Sequence, residues 1–185
     1  MTAARRVGAL CGIAAPVSFV GGWVVAGARA SGYSPVQEHI SEPARVGAQT
    51  QPLMTAGLLG FGVLAPVWAA TLGRSLRSRA LRTSVTAAGV TTLAVAALPL
   101  GGPLGDGPHA VAAGAAYVAM ASSPLLGGRR LTGTARWASY ATGAASAALL
   151  VGSTLGEASG ALQRAGLGVV DAWFVAMAVR ELRRP

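Results

Sequence analysis

The chain has 185 residues, of which 52% are hydrophobic and 11% charged, and its mean hydropathy is +0.53. A soluble domain carries about a quarter charged residues and a disordered chain lacks apolar content, so both are excluded and a polytopic membrane protein remains. The net charge of +9 rests on fifteen arginines and no lysine, set in short clusters between apolar runs, a layout that excludes a nucleic-acid surface and matches the codon bias of a GC-rich bacterium.

A bilayer core takes about twenty mostly apolar residues per helix. The first such run is Val7 to Ala28, behind Arg5 and Arg6. Ala28-Arg29-Ala30 resembles a signal-peptidase site, but the run is longer than the roughly 7–15 residues of a secretory apolar region, so it is expected to stay as a span. Gly8 and Gly12 have the spacing that lets helices approach closely, here expected inside the bundle rather than at a dimer face. Cys11 is the single cysteine, so no internal disulfide forms.

The one long loop runs from Arg29 to Pro52. Within it, Ser34 followed by Pro35 and Gln37 is a helix start, with an N-cap, a proline at N1 and a capping-box residue. Pro43 stops it, so a short helix of about two turns is predicted here, with Glu38 and Glu42 on one face and His39 beside it.

Five further runs follow: Leu53 to Gly73, Thr83 to Leu100, Pro108 to Gly127, Trp137 to Leu155 and Ala161 to Val179. Pro16 and Pro66 fall inside runs and are expected to bend them. Asp106 and Pro108 supply an N-cap and a first-turn proline for the fourth. The basic loops around Arg74 and Arg129 look alike over a few residues, a match that chance explains. Twelve of the fifteen arginines lie before run one, between runs two and three, between four and five, or after six. The positive-inside rule then puts both termini in the cytoplasm. The expected fold is all-α, a six-transmembrane-helix bundle in one integral membrane domain over residues 1–185, in a bacterial plasma membrane.

The remaining charges cluster at the outer end. Glu38, His39, Glu42, Asp106, His109 and Arg164 all fall there, as does Glu157. Together with Asp171 the first six are the candidate ligand-binding set, expected to converge on one outward-facing cavity. Asp171 is mid-span, where a charge costs about 2.5–3.5 kcal/mol on insertion scales. It is a proton or substrate site, or a structural carboxylate that fixes packing. His109 opens run four and is read as a metal ligand, a proton relay or a hydrogen-bonded interface residue. Arg164 and His109 are expected to face the bundle interior.

The stretches Gly32-Tyr33-Ser34 and His39-Ile40-Ser41-Glu42, then Gly47-Ala48 and Met54-Thr55, resemble the DUF998 family of bacterial membrane proteins. So do Pro108-His109, and Gln163-Arg164 with Trp173. The resemblance covers nearly the whole chain and departs from the family pattern at Pro43, where leucine is expected. It implies a multi-pass topology and, the family being of unknown function, no activity. A looser similarity to other six-span proteins implies lipid-related roles.

Catalytic signatures are missing. No G-x-S-x-G elbow, P-loop or dinucleotide fingerprint occurs. Two histidines at the outer edge do not make a haem pair, and no H-E-x-x-H spacing marks zinc. No metal and no cofactor are expected, and nothing supports an enzyme. Three readings follow: a non-catalytic lipid-associated or accessory protein with a polar outer cavity, a small proton-coupled transporter using Asp171, and a metal-dependent membrane hydrolase. The expected partners are membrane lipid, with a small solute or another membrane protein as alternatives, and no nucleic acid.

Overall fold

The computed structural model describes residues 2–184. It is all-helical, without a strand among the described residues. The helices are α1 (Ala3–Arg29), α2 (Gln51–Ser75), α3 (Arg79–Ala97), α4 (Gly107–Gly128), α5 (Gly133–Gly152) and α6 (Ser159–Arg183), with a 3-10 turn at Glu42–Ala44. Five of the six are long and apolar enough to cross a membrane. The exception is α5, whose apolar residues are diluted by Thr134, Arg136, Ser139, Thr142 and Ser146. Apolar side chains also coat the outside: Val17, Val63, Val111, Val118 and Val151 are each more than half exposed. A coat of this extent suits lipid and not water.

Each helix packs on the next, and α6 turns back to contact α1, α2 and α4 as well as α5. Lipid gives no hydrophobic drive between helices, so association rests on close approach and interhelical hydrogen bonds. Both are present. At the α1–α2 crossing Gly22 faces Gly57, and a Cβ on Gly22 would stand 2.9 Å from the Gly57 Cα. At the α2–α3 crossing Gly89 lies against Pro66 and Gly62. Gly8 packs on Thr71 and Gly12 on Trp68 and Ala178, so this glycine pair serves contacts within the bundle. Ser84 Oγ donates to the Ala119 carbonyl at 2.9 Å, tying α3 to α4, and Trp173 Nε1 donates to Ser139 Oγ at 2.8 Å, tying α6 to α5. Phe61 sits between Phe19 and Phe174, with ring centroids 5.7 and 6.3 Å away, and fills the space between α1, α2 and α6.

The loop between α1 and α2 corrects the predicted two-turn helix. The start is as the residues dictate: the Gln37 amide donates to Ser34 Oγ and the Glu38 amide to the Ser34 carbonyl. Only this one turn forms, and no α-helix follows within the loop. The Ile40 amide donates instead to Gln163 Oε1 of α6 at 2.7 Å, and the His39 carbonyl accepts from the Tyr33 hydroxyl at 2.9 Å. Distant partners take the backbone groups that a second turn needs. Pro43 does not stop a helix but lies within the 3-10 turn Glu42–Ala44.

Candidate functional site

The helix α6 begins without a capping side chain at Ala158. Its first free amides would be orphaned, and the α1–α2 loop satisfies one of them. The Ala161 amide donates to the Val36 carbonyl at 3.0 Å, and the Ser159 hydroxyl donates to the Gln37 carbonyl. Gly160 makes this docking feasible, since a Cβ there would collide with the Pro35 and Glu38 carbonyl oxygens. Arg164 fastens the same contact. Its Nη1 donates to the carbonyls of Pro35 at 2.6 Å, Glu38 at 3.1 Å and Gly160 at 2.9 Å, and Nη2 donates to the Tyr33 hydroxyl. The guanidinium carbon stands 5.4 Å from the Trp23 ring centroid and 5.5 Å from that of Tyr33, within cation–π range. Burial raises the Tyr33 hydroxyl above its ordinary range, with Arg164 pulling the other way. Arg164 is thus a strut between α6, α1 and the loop.

Beneath this lid is a cavity of about 50 Å³. Ile40 and Ser41 roof it, Phe19, Leu58 and Phe61 wall it, and Leu167 and Met120 lie deeper. That volume holds a few waters or one small group. The polar groups in its wall are few. Gln163 Nε2 donates to the Tyr117 hydroxyl while its Oε1 accepts from Ile40. His109 is 5% exposed, and its Nδ1 lies 2.8 Å from the Leu98 carbonyl oxygen. A carbonyl cannot donate, so Nδ1 carries the hydrogen. In the singly protonated ring Nε2 is then a bare acceptor. That Nε2 is buried and has no hydrogen-bond partner among the described residues. A mostly apolar cavity with a few convergent polar groups is the common form of a small-molecule site.

The seven sequence-predicted residues therefore occupy several places. His109 lines the cavity. Glu38 accepts from the Ser34 amide at 2.6 Å and shapes the loop turn. His39 is exposed. Glu42 and Asp106 belong to a surface network around Arg45, with Arg45 Nε 2.9 Å from Glu42 Oε2 and Nη1 3.6 Å from Asp106 Oδ2. The hydrogen bonds that Arg45 donates to Glu42 raise Arg45 above its ordinary value. Asp106 holds the N-cap position of α4 but caps nothing there; its Oδ1 accepts from the Gly101 amide at 2.7 Å. That bond first, and Arg45 second, hold its carboxyl below the usual range. His109 is buried, whereas Arg164 is partly exposed, binds the backbone of the loop and does not line the cavity. Asp171 is 3% exposed, its two carboxylate oxygens have no partner among the described residues, and it is not in the cavity wall.

Three polar residues are given no structural role by the sequence reading: Tyr117, Gln163 as a wall residue, and Glu181, which stands out there only as the one acid at the cytoplasmic end. Glu181 is fully buried at the opposite end of the bundle and accepts from Arg5 Nε at 3.2 Å, Arg184 Nη1 at 2.7 Å and Ser75 Oγ at 2.7 Å. Its signal was available: it is the one acid among Arg180, Arg183 and Arg184. No group of three or more His, Cys, Asp or Glu that could hold a metal occurs among the described residues.

A family model described as a protein of unknown function, DUF998, matches residues 13–180. Neither the curated proteins nor the solved structures contain a match.

Proposed function

The chain belongs to the DUF998 family, and from that premise we propose a six-span protein of a bacterial plasma membrane, both termini cytoplasmic, that holds a small neutral group in its outer cavity. The role is non-catalytic, lipid-associated or accessory. The arginine asymmetry supports the orientation. The length of α5 and its exposed Val151 support its being a sixth span.

The observation that carries the binding reading is the unpartnered His109 Nε2 beside an apolar cavity. A buried acceptor left unpaired costs about 1–3 kcal/mol, and a hydroxyl or amide donor on an occupant removes that cost. The wall holds no arginine or carboxylate, so the occupant is uncharged. An occupant larger than the cavity enters only when the Tyr33–Ile40 segment lifts from α6.

The test is native mass spectrometry of protein extracted gently from its own membrane, wild type beside His109→Phe. A stoichiometric neutral mass on wild type, absent from the folded variant, is the expected result. A mass that both proteins keep, or none on either, removes the binding reading.

A second reading has one specific observation behind it. Asp171 is a buried carboxyl without a partner in α6, and intramembrane acids mark proton relays. A small proton-coupled transporter would use it. Proton flux into proteoliposomes decides: loss in Asp171→Asn favours this reading, and equal flux removes it. The metal-dependent hydrolase has no donor set among the described residues to support it.

A further inference from the structure

At the end of the bundle opposite the cavity, a groove of about 760 Å³ opens between the start of α1 and the ends of α2 and α6. Its lining includes Thr2, Arg5, Thr71, Arg74, Ser75 and Arg184. We propose that this groove binds a phosphate group, through Arg74 together with Arg5 and Arg184, which Glu181 holds in place. The site is independent of the outer cavity.

The positive-inside rule accounts for arginines at this end but not for their arrangement. An arginine that serves topology alone needs no fixed partner. Arg5 and Arg184 each have one, and it is the same buried carboxylate: Glu181 is 0% exposed, while the two arginine side chains are 27% and 34% exposed. Taking a carboxylate out of water is costly, and what it achieves here is position. Arg5 also donates from Nη2 to the Glu181 carbonyl at 3.2 Å, and Ser75 Oγ bridges Arg184 and Glu181. The two guanidinium groups are fixed from the Glu181 side, and each has further N–H donors of its five to offer.

Arg74 completes the set. It is exposed, lines the groove, and has no ion pair among the described residues. Three guanidinium groups against one carboxylate leave a net charge of about +2 at the groove, which suits a phosphate mono- or diester. The N-terminal end of α1, capped by the Thr2 side chain, adds its positive dipole. The groove lies where the spans end, at headgroup depth, and basic pockets between helices at that depth take phosphate headgroups. The phosphate can come from an anionic lipid or from a soluble phosphate, and the chemistry of the groove is the same for both.

The experiment is native mass spectrometry of the full-length protein in detergent, titrated with phosphatidylglycerol, with phosphatidylcholine and with inorganic phosphate. Wild type is expected to hold phosphatidylglycerol or phosphate in preference to phosphatidylcholine. Arg74→Gln, which breaks no ion pair, is expected to weaken that binding about tenfold, the loss of roughly one charge-assisted hydrogen bond, with the melting temperature unchanged. Arg79→Gln, equally basic and at the same end, is expected to leave it unchanged. Displacement of the lipid by inorganic phosphate assigns the groove to a soluble phosphate, and retention assigns it to a headgroup. Equal losses in the two variants mean diffuse charge and overturn the proposal, as does the absence of any preference for the anion.

Discussion

Glu181 and Asp171 are both acids buried in α6, and they pose opposite problems. Glu181 has three donors on its carboxylate, so removing it strands two arginines. Glu181→Ala is expected to lower stability by about 1–3 kcal/mol, the arginines being able to rehydrate in part; thermal unfolding in detergent measures it. Asp171 has no donor among the described residues, so Asp171→Asn removes the possibility of a costly charge and no contact seen there. Its melting temperature is expected to equal or exceed that of wild type, and a clear drop would reveal a partner. At the outer surface, Asp106 gives the pH dependence. Its carboxyl is lowered in the folded protein by the Gly101 amide and then by Arg45. The stabilisation is therefore complete above the ordinary aspartate range and lost as pH falls through the lowered value. Acid is expected to lower the hydrogen-exchange protection factor of the Val46 amide, its rate corrected for the intrinsic pH dependence of exchange; that amide bonds the Leu100 carbonyl in the adjoining loop. Asp106→Asn should show much less of that acid response. Asp171 could be found from sequence because a lone acid in an apolar run has few alternatives. The task of Arg164 could not, because the Pro35 and Glu38 carbonyls it binds are more than a hundred residues away; of the two arginines on Glu181 only Arg184 is near in sequence, Arg5 being 176 residues distant.

Among the elements, the six helices were readable because each apolar run is long enough to require one. The loop was not. Its local signals form a single turn, and then Gln163 and Tyr33 claim the next backbone groups, a competition that local patterning does not contain. Glycine roles are also decided between elements. Gly21 and Gly22 are adjacent in α1, yet a Cβ on Gly21 meets nothing within 4 Å while one on Gly22 presses on the backbone of α2. Gly21→Ala is expected to raise stability by up to about 1 kcal/mol through helix propensity. Gly22→Ala is expected to lower it by about 1–3 kcal/mol, since a backbone cannot swing aside. Paired thermal melts compare the two.

For the whole molecule, five helices meet the length and apolarity of a span and the chain is a multi-pass membrane protein. Its orientation is open to a direct test. A fluorescent reporter that folds only in the cytoplasm, fused after α6, is expected to glow, and the same reporter inserted at Gly102 is expected to stay dark. The reverse pattern would invert the outer and inner ends assigned above. The charge count gives an expected direction for the bundle, while the separation of the polar residues into a cavity wall, a strut and a surface network was not readable from the sequence. Convergence depends on rotations of the helices about their axes, and in small-residue bundles these follow from glycine contacts rather than from charge.

The two ends of α6 have a shared consequence for how the chain is made. Its first turn is completed by carbonyls of the α1–α2 loop, and its last turn by Arg5 and Ser75. Both sets of partners leave the ribosome well before α6 does. The final helix, with an acid in its middle, is thus received into a berth that earlier segments have already furnished at each leaflet. Translation order delivers the partners of α6 before α6 itself.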